Sequence, residues 1–194
     1  MSQMAGTENT PHDAGLPIRP LRRREYELLA ASGAFDNEKV ELLYGQVVQM
    51  SPQGTEHAFS IARLNKVLIL ALGDLATVRP QLPFAASEYS MPEPDLAVVS
   101  ELRADAHPER ALLVIEVSFS SLAIDRRLKA QLYAETGVPE YWVVDVAHGE
   151  VIVHTGPSEA GYRRIEHVGR ERVLVPVELP TVRVAVAEIL PPAA

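Results

Sequence analysis

Residues 111–146 read ALLVIEVSFSSLAIDRRLKAQLYAETGVPEYWVVDV. The first and last parts, ALLVIEVS and YWVVDV, are near-continuous runs of Val, Ile, Leu and aromatic residues. That is the pattern of strands covered on both faces of a sheet. Between them, residues 121–136 read as a helix. Gly137 can take the left-handed conformation that ends a helix, and Pro139 cannot continue one. Strand 111–118, helix 121–136 and strand 141–146 therefore form one βαβ unit, a crossover that is right-handed in nearly all cases.

Upstream, LRRREYELLAAS (21–32) places Leu21, Leu28 and Leu29 at roughly helical spacing, with Gly33 as its stop. KVELLYGQVVQMSP predicts a hairpin, with strands over 38–44 and 46–50 and a turn at Tyr44-Gly45. Residues 55–73 predict a second helix, with Thr55 as N-cap and Gly73 as stop. A strand near 75–79, a proline-interrupted stretch and the strand-like DLAVVS (95–100) follow. After Gly149, VIVHTG, RVLVPVELP and VRVAVAEIL predict a short β-rich C-terminal tail at the sheet edge. The whole is an α/β sandwich: a mixed β-sheet flanked by helices.

The 194 residues suit one domain over 18–194, after a small, polar, proline-bearing leader over 1–17 that is expected to be disordered. That leader has neither the charged nor the apolar region of a signal peptide. No apolar run is long enough for a membrane span, and the absence of cysteine excludes thiolate metal sites and nucleophiles. Both agree with a cytoplasmic setting. The net charge of −8 argues against a strong non-specific grip on nucleic acid, so any basic face must be local, at Arg22–Arg24 or Arg126–Arg127. Nucleotide-binding loops of the G-x-x-x-x-G-K-[ST] and G-x-G-x-x-G types and the G-x-S-x-G elbow are absent.

Glu116 is the anomaly in the deciding stretch. Alternation puts Leu112, Val114, Glu116 and Ser118 on one face and Leu113, Ile115 and Val117 on the other. Both faces are otherwise apolar, so a carboxylate here must be paired, protonated or bound to a metal. Pairing with an arginine or with helix N–H groups is one outcome. Asp95 opens the preceding strand after Pro94, and if the strands are neighbours the two carboxylates meet at one end of the sheet. Close like charges repel and raise a pKa unless a cation sits between them. Hard oxygen donors suit Mg²⁺ or Mn²⁺, and nothing here resembles a zinc site. Lys129 lies on the crossover helix, four residues after Asp125, where an i,i+4 salt bridge is the plain reading.

These segments together resemble a large bacterial family of restriction-endonuclease-like proteins with the PD-(D/E)xK fold. PDLAVV and LLVIEVSFSSLAIDRRLKAQLYAETGVPEYWVVD carry the resemblance. Upstream, VELLYG is similar to the family's Y-E-L-x-x-G element and SPQGTEH to its P-x-x-x-H element, so the likeness spans about residues 22–155. It implies that Asp95 is the Asp of the PD motif and Glu116 the acid of the second motif. Ser118 stands where that motif usually holds lysine. In this branch a lysine on the following helix takes over, here Lys129. Glu41 matches an upstream glutamate that completes the acidic cluster or holds a metal-bound water, and His57 matches the family histidine, with helix capping or packing as its other reading. Asp125 would position Lys129 or cap the helix. Phe119 departs from the small or polar residue usual after the strand.

The resemblance implies a metal-dependent endonuclease acting on nucleic acid, DNA above all. Asp95, Glu116 and the Val117 carbonyl would hold Mg²⁺ or Mn²⁺, and Lys129 would assist the attacking water. A symmetric homodimer would suit cutting of two strands. The rival reading is a catalytically silent descendant that kept the fold as an interaction or regulatory module, which the acidic balance favours.

Overall fold

The computed structural model describes residues 17–118 and 125–192. The expected leader up to residue 16, Phe119 and the first turn of the crossover helix lie outside the described residues, as does the side chain of Asp125. Helix α1 (Arg23–Ala31) leads into a hairpin of β1 (Val40–Leu43) and β2 (Gln46–Gln49). Its turn residues, Tyr44 and Gly45, have φ of 48° and 78°. Two successive positive φ values are what a tight two-residue hairpin turn demands. Gly45 is also pressed against Pro20, where a Cβ would collide.

Helix α2 (Thr55–Leu72) follows, then β3 (Thr77–Pro80), β4 (Leu96–Val99) and β5 (Leu113–Ser118). The N-cap of α2 is Gly54 and Thr55 is its first helical residue, one position from the expected start. The crossover resumes at Asp125 with a π-helical turn to Lys129 and continues as α3 (Ala130–Glu135). Gly137, at φ 74°, ends it and delivers the chain to β6 (Glu140–Asp145). Then come β7 (Glu150–Thr155) and β8 (Arg164–Gly169).

One sheet takes in six of these strands, in the order β3-β4-β5-β6-β7-β8. Only β5 and β6 run parallel, as the βαβ reading requires, and the other neighbours are antiparallel. Every residue of β5 and of β6 is buried. The two faces of β5 enter separate cores. Leu113, Ile115 and Val117 pack with Leu64, Leu68 and Leu72, the i,i+4 stripe of α2, and with the C-terminal segment. Val114 packs with Ala130 and Tyr133 of the crossover, Tyr141 and Val143. The alternation read from the sequence thus separates a helix on each side, the sandwich expected of a sheet covered on both faces.

The C-terminal region is less β-rich than its composition predicts. RIEHVG forms the sheet's edge strand β8, whereas RVLVPVELP and VRVAVAEIL contribute only β9 (Val173–Leu174), β10 (Val184–Ala185) and a short helix α4 (Val186–Ile189). Pro176 and Pro180 cannot donate to a ladder, so pairing stops there. Val182, Val184 and Val186 instead turn into the α2 side of the core. No helix among the described residues is long and apolar enough to cross a membrane.

Candidate active site

The antiparallel register of β4 and β5 pairs Leu96 with Ile115, which sets Asp95 level with Glu116 just where the β4 ladder ends. With no further β4 carbonyl to meet, the Val117 N–H donates to Asp95 Oδ2 at 2.8 Å. The Asp95 N–H in turn donates to Glu116 Oε2 at 3.3 Å. In an extended strand a residue's N–H and C=O point to the same side, so the Val117 carbonyl faces the flank occupied by Asp95. The proline-led entry into β4 and the end of its pairing create a notch lined by two carboxylates and one carbonyl.

The crossover helix closes this notch from the side. Lys129 Nζ donates to Glu116 Oε1 at 3.0 Å and lies 3.1 Å from Glu41 Oε1. Tyr133, one helical turn on, donates its hydroxyl to the same Glu116 Oε1 at 3.0 Å. Glu41 arrives on β1, which a bridge between Leu42 and Met91 ties to the loop before Asp95. Its Oε2 accepts the Glu93 N–H at 3.2 Å. His57, in the first turn of α2, sets Nε2 3.1 Å from Asp95 Oδ2, while its buried Nδ1 has no hydrogen-bond partner among the described residues. Ser118 is fully buried beyond Glu116.

The sequence candidates Asp95, Glu116, Lys129, Glu41, His57 and the Val117 backbone are therefore neighbours, drawn from β1, α2, the residue before β4, β5 and the π-turn. Sequence reasoning misses Tyr133. Its spacing of four from Lys129 is the available signal, since such pairs share a helix face. The role expected of Asp125 falls on a side chain outside the described residues.

Burial sharpens the electrostatics. Glu41 and Glu116 are 4% exposed, and Asp95 and Lys129 are 6% exposed. Three carboxylates and one ammonium are thus held almost out of water, where charge is expensive unless it is paired. Glu93 sits at the edge of this cluster. Burial pushes its carboxyl above the usual range and the Glu41 carboxylate pushes it further, against the pull of Lys39 and Lys129. Burial alone is not the mark of a site. Glu140 is as buried, but it accepts from the Trp142 indole and from the Val177 N–H at 2.6 Å, a satisfied arrangement of neutral donors.

The donor chemistry fits a hard divalent cation. Glu116 Oε2 accepts from the Asp95 N–H and Asp95 Oδ2 from the Val117 N–H, so two carboxylates and the Val117 backbone stand side by side as hard oxygen donors. Among the described residues no three His, Cys, Asp or Glu side chains are placed to hold a metal ion by themselves. A cation here would rest on two carboxylates, a carbonyl and water, a sparse shell of the kind Mg²⁺ accepts.

A second polar feature lies beyond the other end of β4. A groove of about 1040 Å³ is lined by Arg22, Arg23, Arg24, Arg103, Arg110 and His107, along with Ser100 and Glu88, Glu101 and Glu109. Three of the arginines begin α1, the end of a helix that ordinarily favours negative charge. Arg22 pairs with Glu88 at 3.2 Å and Arg23 with Glu109 at 3.1 Å. His107 is held below the ordinary imidazole value by partial burial and by the Arg79 and Arg23 guanidiniums, with Glu27 opposing.

No curated protein matches the chain. Among solved structures, a crystal structure described as a putative nuclease belonging to DUF820 from Anabaena variabilis superposes with a TM-score of 0.61. The match covers 77% of this chain and 88% of that one at 15% sequence identity, a likeness of fold. The profile of the Uma2 family, described as "Putative restriction endonuclease", matches residues 23–187, from the first turn of α1 into α4. The chain belongs to the Uma2 family.

Proposed function

We propose that this chain is a divalent-metal-dependent endonuclease that hydrolyses phosphodiester bonds of DNA. The observation that carries the reading is the convergence of Asp95, Glu116 and Lys129, all almost wholly buried, at the end of the β4–β5 ladder. Asp95, Glu116 and the Val117 carbonyl would hold Mg²⁺ or Mn²⁺. When bound, such an ion lowers the pKa of a coordinated water and offsets charge on the phosphate oxygens.

The protein's own groups supply the rest. Lys129 presents a compact cation beside Glu116, suited to orienting the attacking water or to meeting charge that develops on the phosphoryl oxygens. Glu41 shares the Lys129 ammonium with Glu116, at 3.1 Å, almost wholly out of the solvent. His57 braces Asp95 through Oδ2. The arginine groove supports a polyanionic substrate: Ser100 on its wall is five residues from Asp95, about 17 Å along an extended strand. A duplex bound in the groove would thus have backbone within reach of the acidic notch.

A second reading, a nuclease fold retained as an interaction module, draws on the Lys129 ammonium, which already bridges Glu41 and Glu116. Cleavage of supercoiled plasmid and short duplexes with Mg²⁺ or Mn²⁺ separates the two. The nuclease reading expects cutting by the wild type and none by Asp95→Asn or Lys129→Ala. Equal behaviour of all three would remove the catalytic claim and leave the module.

A further inference from the structure

The Tyr133 ring is fully buried, packed between Phe84 and Tyr141 with centroids 6.3 and 4.9 Å away. An apolar ring would fill that space equally well, so packing does not explain the hydroxyl. Its partner does: it donates to Glu116 Oε1, the same oxygen that takes the Lys129 ammonium. Two donors on one helix face thus load a single carboxylate oxygen. Glu116 Oε2 instead accepts from the Asp95 N–H, beside the Asp95 carboxylate that the Val117 N–H holds. A phenol is neutral at working pH and donates one hydrogen bond. It can orient the carboxylate without adding positive charge that would repel a cation, which a second lysine would not do.

We infer that Tyr133 is a positioning residue: with Lys129 it clamps Glu116 by Oε1, and so aims Oε2 at the place of a divalent cation between Asp95 and the Val117 carbonyl. This rests on the metal-dependent reading above. Groups that orient a ligating carboxylate typically govern about 10–100-fold in metal affinity or activity.

The test is Mn²⁺ binding to the full chain, by calorimetry and by the loss of free-ion EPR signal, for wild type, Tyr133→Phe, Glu116→Ala, the double variant and Asp95→Asn. Tyr133→Phe keeps the ring and should melt cooperatively while binding Mn²⁺ about tenfold more weakly. In the Glu116→Ala background, removing the hydroxyl should change Mn²⁺ affinity no further, because the group it acts through is gone. A general loosening of the fold would weaken binding in both backgrounds and overturn the inference. Unchanged affinity in Tyr133→Phe, with wild-type binding that needs Asp95, overturns the role of Tyr133 and leaves the metal reading intact. Absence of Asp95-dependent Mn²⁺ binding in the wild type overturns both. Failure of Tyr133→Phe to fold would assign the hydroxyl to the fold and overturn the inference as well.

Discussion

At the Asp95 end of β4, charged groups are almost wholly out of water and hold one another at hydrogen-bond distance through Lys129. At the Ser100 end, arginines line an open groove and meet Glu88 and Glu109 as surface pairs. The two regions use electrostatics differently. Losing one partner of a buried ion pair leaves an uncompensated charge and costs about 3–5 kcal/mol. A surface pair is worth about 0–1 kcal/mol. The buried cluster is thus coupled to folding, whereas the groove can be redesigned almost without touching stability.

The largest expected effect follows from that contrast. Lys129→Met should lower stability by about 3–5 kcal/mol, because Glu41 and Glu116 lose their shared cation. Chemical denaturation measures it, and a loss no larger than that of a surface pair would erase the distinction between the two regions. Next in size, saturating Mn²⁺ should stabilise the wild type by about 2.7 kcal/mol at a hundredfold excess over Kd. Thermal shift should show the gain lost in Asp95→Asn, and a gain that survives there would move the ion elsewhere.

For the groove the order reverses, with a large effect on binding and a small one on folding. The double substitution Arg24→Glu, Arg110→Glu should leave stability within about 0.5 kcal/mol. Duplex affinity, measured without divalent ion, should fall on the order of tenfold, with a salt slope shallower by about 0.9 for each phosphate that is no longer neutralised. Unchanged affinity would rule the groove out as a surface for the substrate.

The smallest effect is a titration. His107 should titrate below the ordinary imidazole value of 6.5 in the free chain, as burial and Arg79 dictate. Since its folded value is depressed, its contribution to stability is present above the unfolded value of 6.5 and is lost as pH falls through the folded value. Phosphates in the groove would favour the charged ring, so NMR should show the His107 pKa rise on adding duplex. No change would argue against occupancy beside it.

How far the sequence reaches depends on whether the signal is local. The β5–helix–β6 unit is legible because both strands are apolar throughout and Gly137, at φ 74°, and Pro139 mark the helix end. The meeting of Asp95 and Glu116 follows once the strands are known to pair, since alternation fixes their shared face. The polar edge strand RIEHVG is hard to read because half of it faces solvent and its alternation is weak. The π-helical turn that ends at Lys129 has no composition of its own. Tyr133 looks like any core aromatic, because only the position of its hydroxyl relative to Glu116 distinguishes it. Arg103 and Arg110 sit some eighty residues from Arg22–Arg24, and no local pattern joins them.

The most direct test of the acidic notch as a catalytic centre is a Mn²⁺ titration of cleavage of an end-labelled duplex under single-turnover conditions. Occupancy would be followed in parallel by EPR. The predicted result is a rate that rises in step with occupancy of one site, with both rate and occupancy lost in Asp95→Asn. Cleavage that proceeds equally well in EDTA, or unchanged in Asp95→Asn, would contradict it.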